Sequence, residues 1–150
     1  LNTLKNKTIR FENRTVYKIK SEIFHIVWKI VKKYEKIRES DYVNLILTDD
    51  DTIKLLNKKY LGRDFRTDVI AFPYDDDLIP FLGDIIIDVK TAEKQKNNLS
   101  LEEELQILFL HGLLHLLGYD HLAQKQKIEM INRQEKYIKL IKEHYSRDVI

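Results

Sequence analysis

Three of the chain's five histidines fall within one stretch, His111-Gly112-Leu113-Leu114-His115-Leu116-Leu117-Gly118-Tyr119-Asp120-His121. His111 and His115 are four apart, so on a helix both imidazoles project from one face, a single turn apart. Gly118 stands where that helix should stop, because glycine takes the left-handed conformation that other residues avoid. The turn it makes can swing His121 back toward the first two rings. Three neutral imidazoles meeting at a point form a transition-metal site, zinc by default, with the fourth position left for water. Zinc held in this way lowers the pKa of its water to about 7 and polarises a carbonyl or phosphoryl oxygen, which suits peptide, amide and phosphodiester hydrolysis alike. Imidazoles also accept nickel, copper or cobalt, so the residues do not select one metal. The expectation is a metal-dependent hydrolase. A structural histidine pair would account for His111 and His115 but leaves Gly118 and His121 unexplained. His25 and His144 have no such partners and read as packing or surface residues.

The elements that must position these rings follow from hydrophobic period. Ser100 and Glu103 form a capping box, Glu102 and Glu104 suit the positive helix end, and the segment Leu101 to Leu117 is apolar nearly all round. It should run through the core and carry His111 and His115 on a rigid element. Strands are expected at Thr8 to Phe11, Tyr42 to Leu47, Asp68 to Phe72 and Gly83 to Val89. Helical periods mark Ser21 to Tyr34, a segment from the acidic run Asp49-Asp50-Asp51 to about Tyr60, and Leu122 to about Tyr145. On the last of these, Ile128, Ile131, Ile138, Ile141 and Tyr145 read as the apolar side. Gln124, Lys125, Lys127, Arg133, Lys136, Lys139 and Lys142 read mainly as the solvated one. Four strands with four or more helices imply an α/β (α+β) layer fold around a mixed sheet. The acidic, proline-bearing stretch Tyr74 to Pro80 is a flap or a surface excursion.

Composition narrows the chemistry further. At 150 residues the chain fits one domain, 1–150, with 33% charged and 43% hydrophobic residues. A net charge of +2 leaves no strong polybasic footprint. The absence of cysteine removes disulfides, thiolate nucleophiles, iron–sulfur clusters and cysteine-based zinc sites. None of the four serines lies in a nucleophile-elbow context, which argues against covalent serine catalysis. No N-terminal apolar signal is evident. The longest apolar segment, Leu105 to Leu117, is broken by Gln106 and two histidines, so a cytoplasmic protein with no membrane span is expected.

The histidine spacing and Gly118 resemble the metzincin peptidase motif, whose general-base glutamate follows the first histidine. Here that position is Gly112. With glycine there, the whole string resembles more closely the signature of the YbeY family of bacterial endoribonucleases. Thr67-Asp68-Val69-Ile70-Ala71-Phe72-Pro73 and Leu82-Gly83-Asp84-Ile85 are similar to the same family, and order and spacing together span roughly half of the chain. The resemblance implies a metzincin-like, zinc-bound, single-strand-selective RNase. It further implies ribosomal RNA and the ribosome as partners, in small-subunit 3′-end maturation and ribosome quality control. It departs from the family at Leu61, where an arginine important for activity usually follows the tyrosine corresponding to Tyr60. Arg63 and Arg66 lie close by as alternative phosphate contacts or as plain loop charges. Tyr60, Phe65, Phe72 and Tyr74 are candidate stacking platforms for unpaired bases. Two alternatives remain beside the nuclease: a metal-dependent peptidase or amidase, and a zinc-containing RNA- or ribosome-binding module that cleaves nothing.

Overall fold

A computed structural model describes residues 8–49, 68–119 and 124–147. Among these, β1 (Ile9–Asn13), β2 (Tyr42–Thr48), β3 (Val69–Pro73) and β4 (Phe81–Asp88) form one sheet in the order β1-β2-β4-β3. β1, β2 and β4 run parallel, and β3 pairs antiparallel with β4, so the sheet is mixed. Among the described residues four helices accompany it: α1 (Glu22–Tyr34), α2 (Val89–Gln95), α3 (Leu101–Leu116) and α4 (Gln124–Arg147). The expected α/β architecture is the one observed. The helix expected from the Asp49-Asp50-Asp51 run to Tyr60 lies outside the described residues.

Alternation along the strands decides which face is buried. Val43, Leu45 and Leu47 of β2 and Ile85 and Ile87 of β4 point into the core, while Asn44 and Asp84 share the other face, where Asn44 Nδ2 donates to Asp84 Oδ1 at 3.0 Å. The crossover helix α1 lays Ile23, Phe24, Val27, Trp28 and Val31 against the core. Phe24 bridges the layers, with its ring 5.6 Å from Phe11 on β1 and 5.4 Å from Phe109 on α3. Each such fully buried apolar side chain contributes about 1.5–3 kcal/mol relative to exposure.

α3 runs through the centre, and its capping box is complete: Glu103 N–H donates to Ser100 Oγ at 3.1 Å, and Ser100 N–H donates to Glu103 Oε1 at 3.1 Å. Two polar residues on it are buried. Gln106, which interrupts the apolar run, donates from Nε2 to Ile23 O at 2.9 Å and to Tyr145 Oη at 3.0 Å, tying α3 to both α1 and α4. Glu104, expected to suit the positive helix end, is in the first turn and is buried there beside Leu105 and Leu108 on the core side of the helix.

Two other expectations shift, and between flap and surface excursion the second is the one observed. Val89 opens a short helix, α2, rather than closing a strand; Asp88 caps that helix, its carboxylate accepting from Thr91 N–H at 3.2 Å and Thr91 Oγ1–H at 2.8 Å. The stretch after β3 is a pinned surface excursion, since Arg38 Nη1 donates to Asp77 O at 2.8 Å and Tyr42 N–H donates to Pro80 O at 2.9 Å. α4 is rotated from its expected orientation: Met130, Tyr137 and Ile141 are buried, whereas Ile128 and Ile131 are about half exposed. The polar contacts of α4 described below fix that rotation, and they bring Arg133 off the solvated side.

Candidate metal centre

Gly112 and Gly83 let α3 lie unusually close to the sheet. A Cβ on Gly112 would sit 2.9 Å from Ile85 Cγ2, inside carbon–carbon contact distance. Gly83 (φ +145°) is pressed still harder: a Cβ there would meet Phe72 O at 2.2 Å and Leu116 Cδ2 at 2.8 Å. Pro73 pairs with Gly83, Phe72 with Asp84 and Ala71 with Ile85. The two short segments singled out in the sequence are thus neighbouring strands, and together they form the floor on which α3 rests.

From that seated helix His111 and His115 project together, both partly exposed. Their rings lie 4.8 Å apart at 69°, and the two Nε2 atoms are 3.3 Å apart. Two nitrogens bound to tetrahedral zinc at 2.0–2.1 Å lie about 3.3 Å from each other. The separation and the donor chemistry therefore fit a shared cation. On the other side of the first ring, His111 Nδ1 is 3.1 Å from Gln134 Oε1 on α4. An amide oxygen only accepts, so this contact is a hydrogen bond in the tautomer that carries its proton on Nδ1, which leaves the neutral ring's lone pair on Nε2, the atom facing His115.

The helix ends as the glycine required. Gly118 has φ +102°, Gly118 N–H donates to His115 O at 3.0 Å, and Tyr119 N–H donates to Leu114 O at 3.0 Å. This is the Schellman pair of bonds, and it reverses the chain at once after His115. Tyr119 is then anchored: its hydroxyl donates to Glu35 Oε1 at 2.9 Å. Glu35, which follows α1, also accepts from the Tyr137 hydroxyl and lies 3.6 Å from Arg133 Nη1. Burial together with these bonds to Glu35 raises the Tyr119 and Tyr137 phenol pKa values above the usual tyrosine range. A recess of about 440 Å³ opens beside this turn, with Tyr34, Lys36, Tyr119, Gln126 and Arg133 among its lining.

His121 and Asp120, along with Arg63, Arg66, Leu61, Tyr60 and Phe65, lie outside the described residues. The structure thus brings two of the three expected ligands together. Phe72 is half-buried in β3, and Tyr74 is exposed with its ring 5.4 Å from Phe81. His25 is half-buried on α1, where burial lowers its pKa against the opposing pull of Glu22, and His144 is exposed on α4. Sequence reasoning did not single out Glu35, Arg133, Gln134 or Tyr137. The available signal was their spacing: Arg133, Gln134 and Tyr137 fall at helical intervals between the buried Met130 and Ile141.

A mixed four-stranded sheet backed by a buried helix, with paired imidazoles at that helix's C-terminal end, defines the class: an α/β protein built around a core helix that carries histidine. The sequence matches the family described as Endoribonuclease YbeY over residues 5–142. Relatives carrying that name include proteins of Nautilia profundicola, 40% identical over 133 residues (87% of this chain and 89% of the relative), and of Acholeplasma laidlawii, 38% identical over 124 residues (81% and 89%). The solution structure of TM1509 from Thermotoga maritima superposes with a TM-score of 0.60 at 30% identity, covering 94% of this chain and 93% of that one. The chain belongs to the YbeY family.

Proposed function

We propose that the protein is a zinc-dependent endoribonuclease, with His111, His115 and His121 as the metal ligands. The observation that carries this reading is the 3.3 Å approach of the His111 and His115 Nε2 atoms at the end of a rigid, buried helix, in a chain of the YbeY family. When bound, zinc would supply Lewis acidity toward a phosphoryl oxygen and a water of lowered pKa. The protein's own part is positional. Close seating of α3 fixes two rings, and Gly118 and Tyr119 fix the turn by which the chain leaves the helix. Arg63 and Arg66 are the side chains proposed to meet the phosphate, in place of the cation that Leu61 does not provide.

The substrate we propose is single-stranded RNA, whose backbone can bend toward a recessed site and whose unpaired bases can stack on aromatic rings. Ribosomal RNA, at the 3′ end of the small-subunit species, is the proposed physiological target, and the ribosome in the cytoplasm the proposed partner. Among the described residues no helix is long and apolar enough to cross a membrane. Peptidase chemistry on the metzincin pattern is disfavoured by packing: the general-base position is Gly112, and a side chain there would run into Ile85.

The test is a cleavage assay on protein purified without a histidine tag, with metal content measured on the same preparation. Cutting of single-stranded RNA, lost in His115→Ala, supports the proposal. Cleavage of an unstructured polypeptide instead would establish a peptidase. Tight RNA binding without any cutting would establish a binding module.

A further inference from the structure

We propose that Gln134 is a positioning residue for the metal centre, acting by fixing the tautomer of His111. This rests on the reading of His111 and His115 as ligands. A neutral imidazole can carry its proton on either nitrogen, and only the form protonated at Nδ1 offers a lone pair at Nε2. Gln134 Oε1, 3.1 Å from Nδ1, selects that form. The reversed amide would donate its NH₂ to Nδ1, move the ring proton to Nε2 and close the atom that faces His115. The amide orientation seen here is thus the one compatible with coordination through His111 Nε2.

The contact is built into the fold. Gln134 is half-buried and comes from α4, a different element from the helix that carries His111. The same face of α4 presents Tyr137, which is fully buried, and Arg133. Both engage Glu35, the residue that also receives the Tyr119 hydroxyl. Thus α4 grips the metal-bearing segment at two points, the His111 ring and the turn after the helix. The rotation that turns Ile128 and Ile131 toward solvent is the one that brings Gln134 to His111. An amide oxygen, unlike a carboxylate, orients the ring without adding negative charge beside the cation.

Two substitutions separate orientation from packing. Gln134→Leu keeps side-chain bulk and removes the acceptor, and Gln134→Glu can only accept. Metal-free protein is studied by long-range proton–nitrogen NMR of the His111 ring at about pH 8, where an ordinary imidazole is neutral. Zinc affinity is measured by chelator competition. Wild type is expected to hold the proton on Nδ1, and Gln134→Leu to show mixed or Nε2-protonated His111 with zinc bound about 10–100-fold more weakly. Gln134→Glu is expected to keep the Nδ1 proton and bind zinc at least as tightly as wild type. An Nε2 proton in wild type overturns the proposal, as does undiminished zinc affinity in a folded Gln134→Leu. Were Gln134→Leu unable to fold, the wild-type and Gln134→Glu spectra would still decide the point. If wild type itself takes up no zinc, the ligand reading fails and this role goes with it, an outcome distinct from wild type and Gln134→Leu binding zinc equally.

Discussion

Replacing Gly112 by alanine tests the claim that α3 is seated by an absent side chain. The added methyl would lie 2.9 Å from Ile85 Cγ2, 3.3 Å from Cγ1 and 3.4 Å from Cδ1. Carbon pairs settle at about 3.5–4.0 Å, so helix or strand must yield by roughly half an ångström. Cγ2 is fixed to Cβ of a β-branched residue in a paired strand, so it cannot swing aside. Overpacking of this kind costs about 1–3 kcal/mol, and the better helix propensity of alanine returns about 1 kcal/mol. The expected net loss is about 1 kcal/mol, or about 2–4 °C in Tm for a domain of this size. Urea unfolding measures it, and the Ile85→Ala background provides the decisive comparison. That change removes all three crowding atoms, so in it Gly112→Ala should become neutral or stabilising by up to about 1 kcal/mol. Gly112→Glu, which restores the metzincin general base on paper, should fail to fold rather than acquire peptidase activity. The reasoning is refuted if Gly112→Ala is at least as stable as wild type, or if its cost is the same with alanine at position 85.

Further outcomes follow from the same geometry. Gly118→Ala should cost about 1–2 kcal/mol by urea titration, because φ +102° is strained for a residue with a Cβ even though no atom lies within 4 Å of one placed there. Tyr137→Phe removes a hydroxyl donor from the largely buried Glu35 and should cost about 1–3 kcal/mol, again read from urea unfolding. The raised phenol pKa of Tyr137 gives a signed pH effect. Its contribution is fully present below the ordinary tyrosine pKa of about 10 and is lost as pH climbs from there toward the folded-state value, so the alkaline decline in stability should be shallower in Tyr137→Phe. Zinc at a hundredfold excess over its Kd should stabilise wild type by about 2.7 kcal/mol, hence roughly 5–11 °C in Tm, and calorimetry of His115→Ala should show no such rise.

Where the sequence was legible, a local rule sufficed. Helix α3 was readable in full, because the capping box at Ser100 and Glu103 and the glycine at 118 both act within one turn of the chain. The four strands came within a residue or two of their observed limits from alternation and turn residues alone. Helix α2 escaped notice because Val89 is buried like a strand residue and its cap, Asp88, ends that strand. The rotation of α4 escaped for a different reason: Ile128 and Ile131 satisfy the helical period as well as Met130 does. Hydrophobic spacing cannot choose between overlapping faces on a helix with so many polar residues.

By itself the amino-acid order determined that His111 and His115 lie side by side, since residues four apart on any helix must share a face, and it determined where that helix stops. Tertiary structure alone decided the rest of the centre. The partner of His111 Nδ1 is Gln134, 23 residues away on another helix. Where the Tyr119 side chain is anchored depends on Glu35, 84 residues before it. Gly112 read as a missing glutamate in the chain, and only the closeness of Ile85 made it a packing residue. Helical periodicity is set by bonds between near neighbours, whereas proton placement and close approach are set by whichever distant groups the fold brings within hydrogen-bond or van der Waals range.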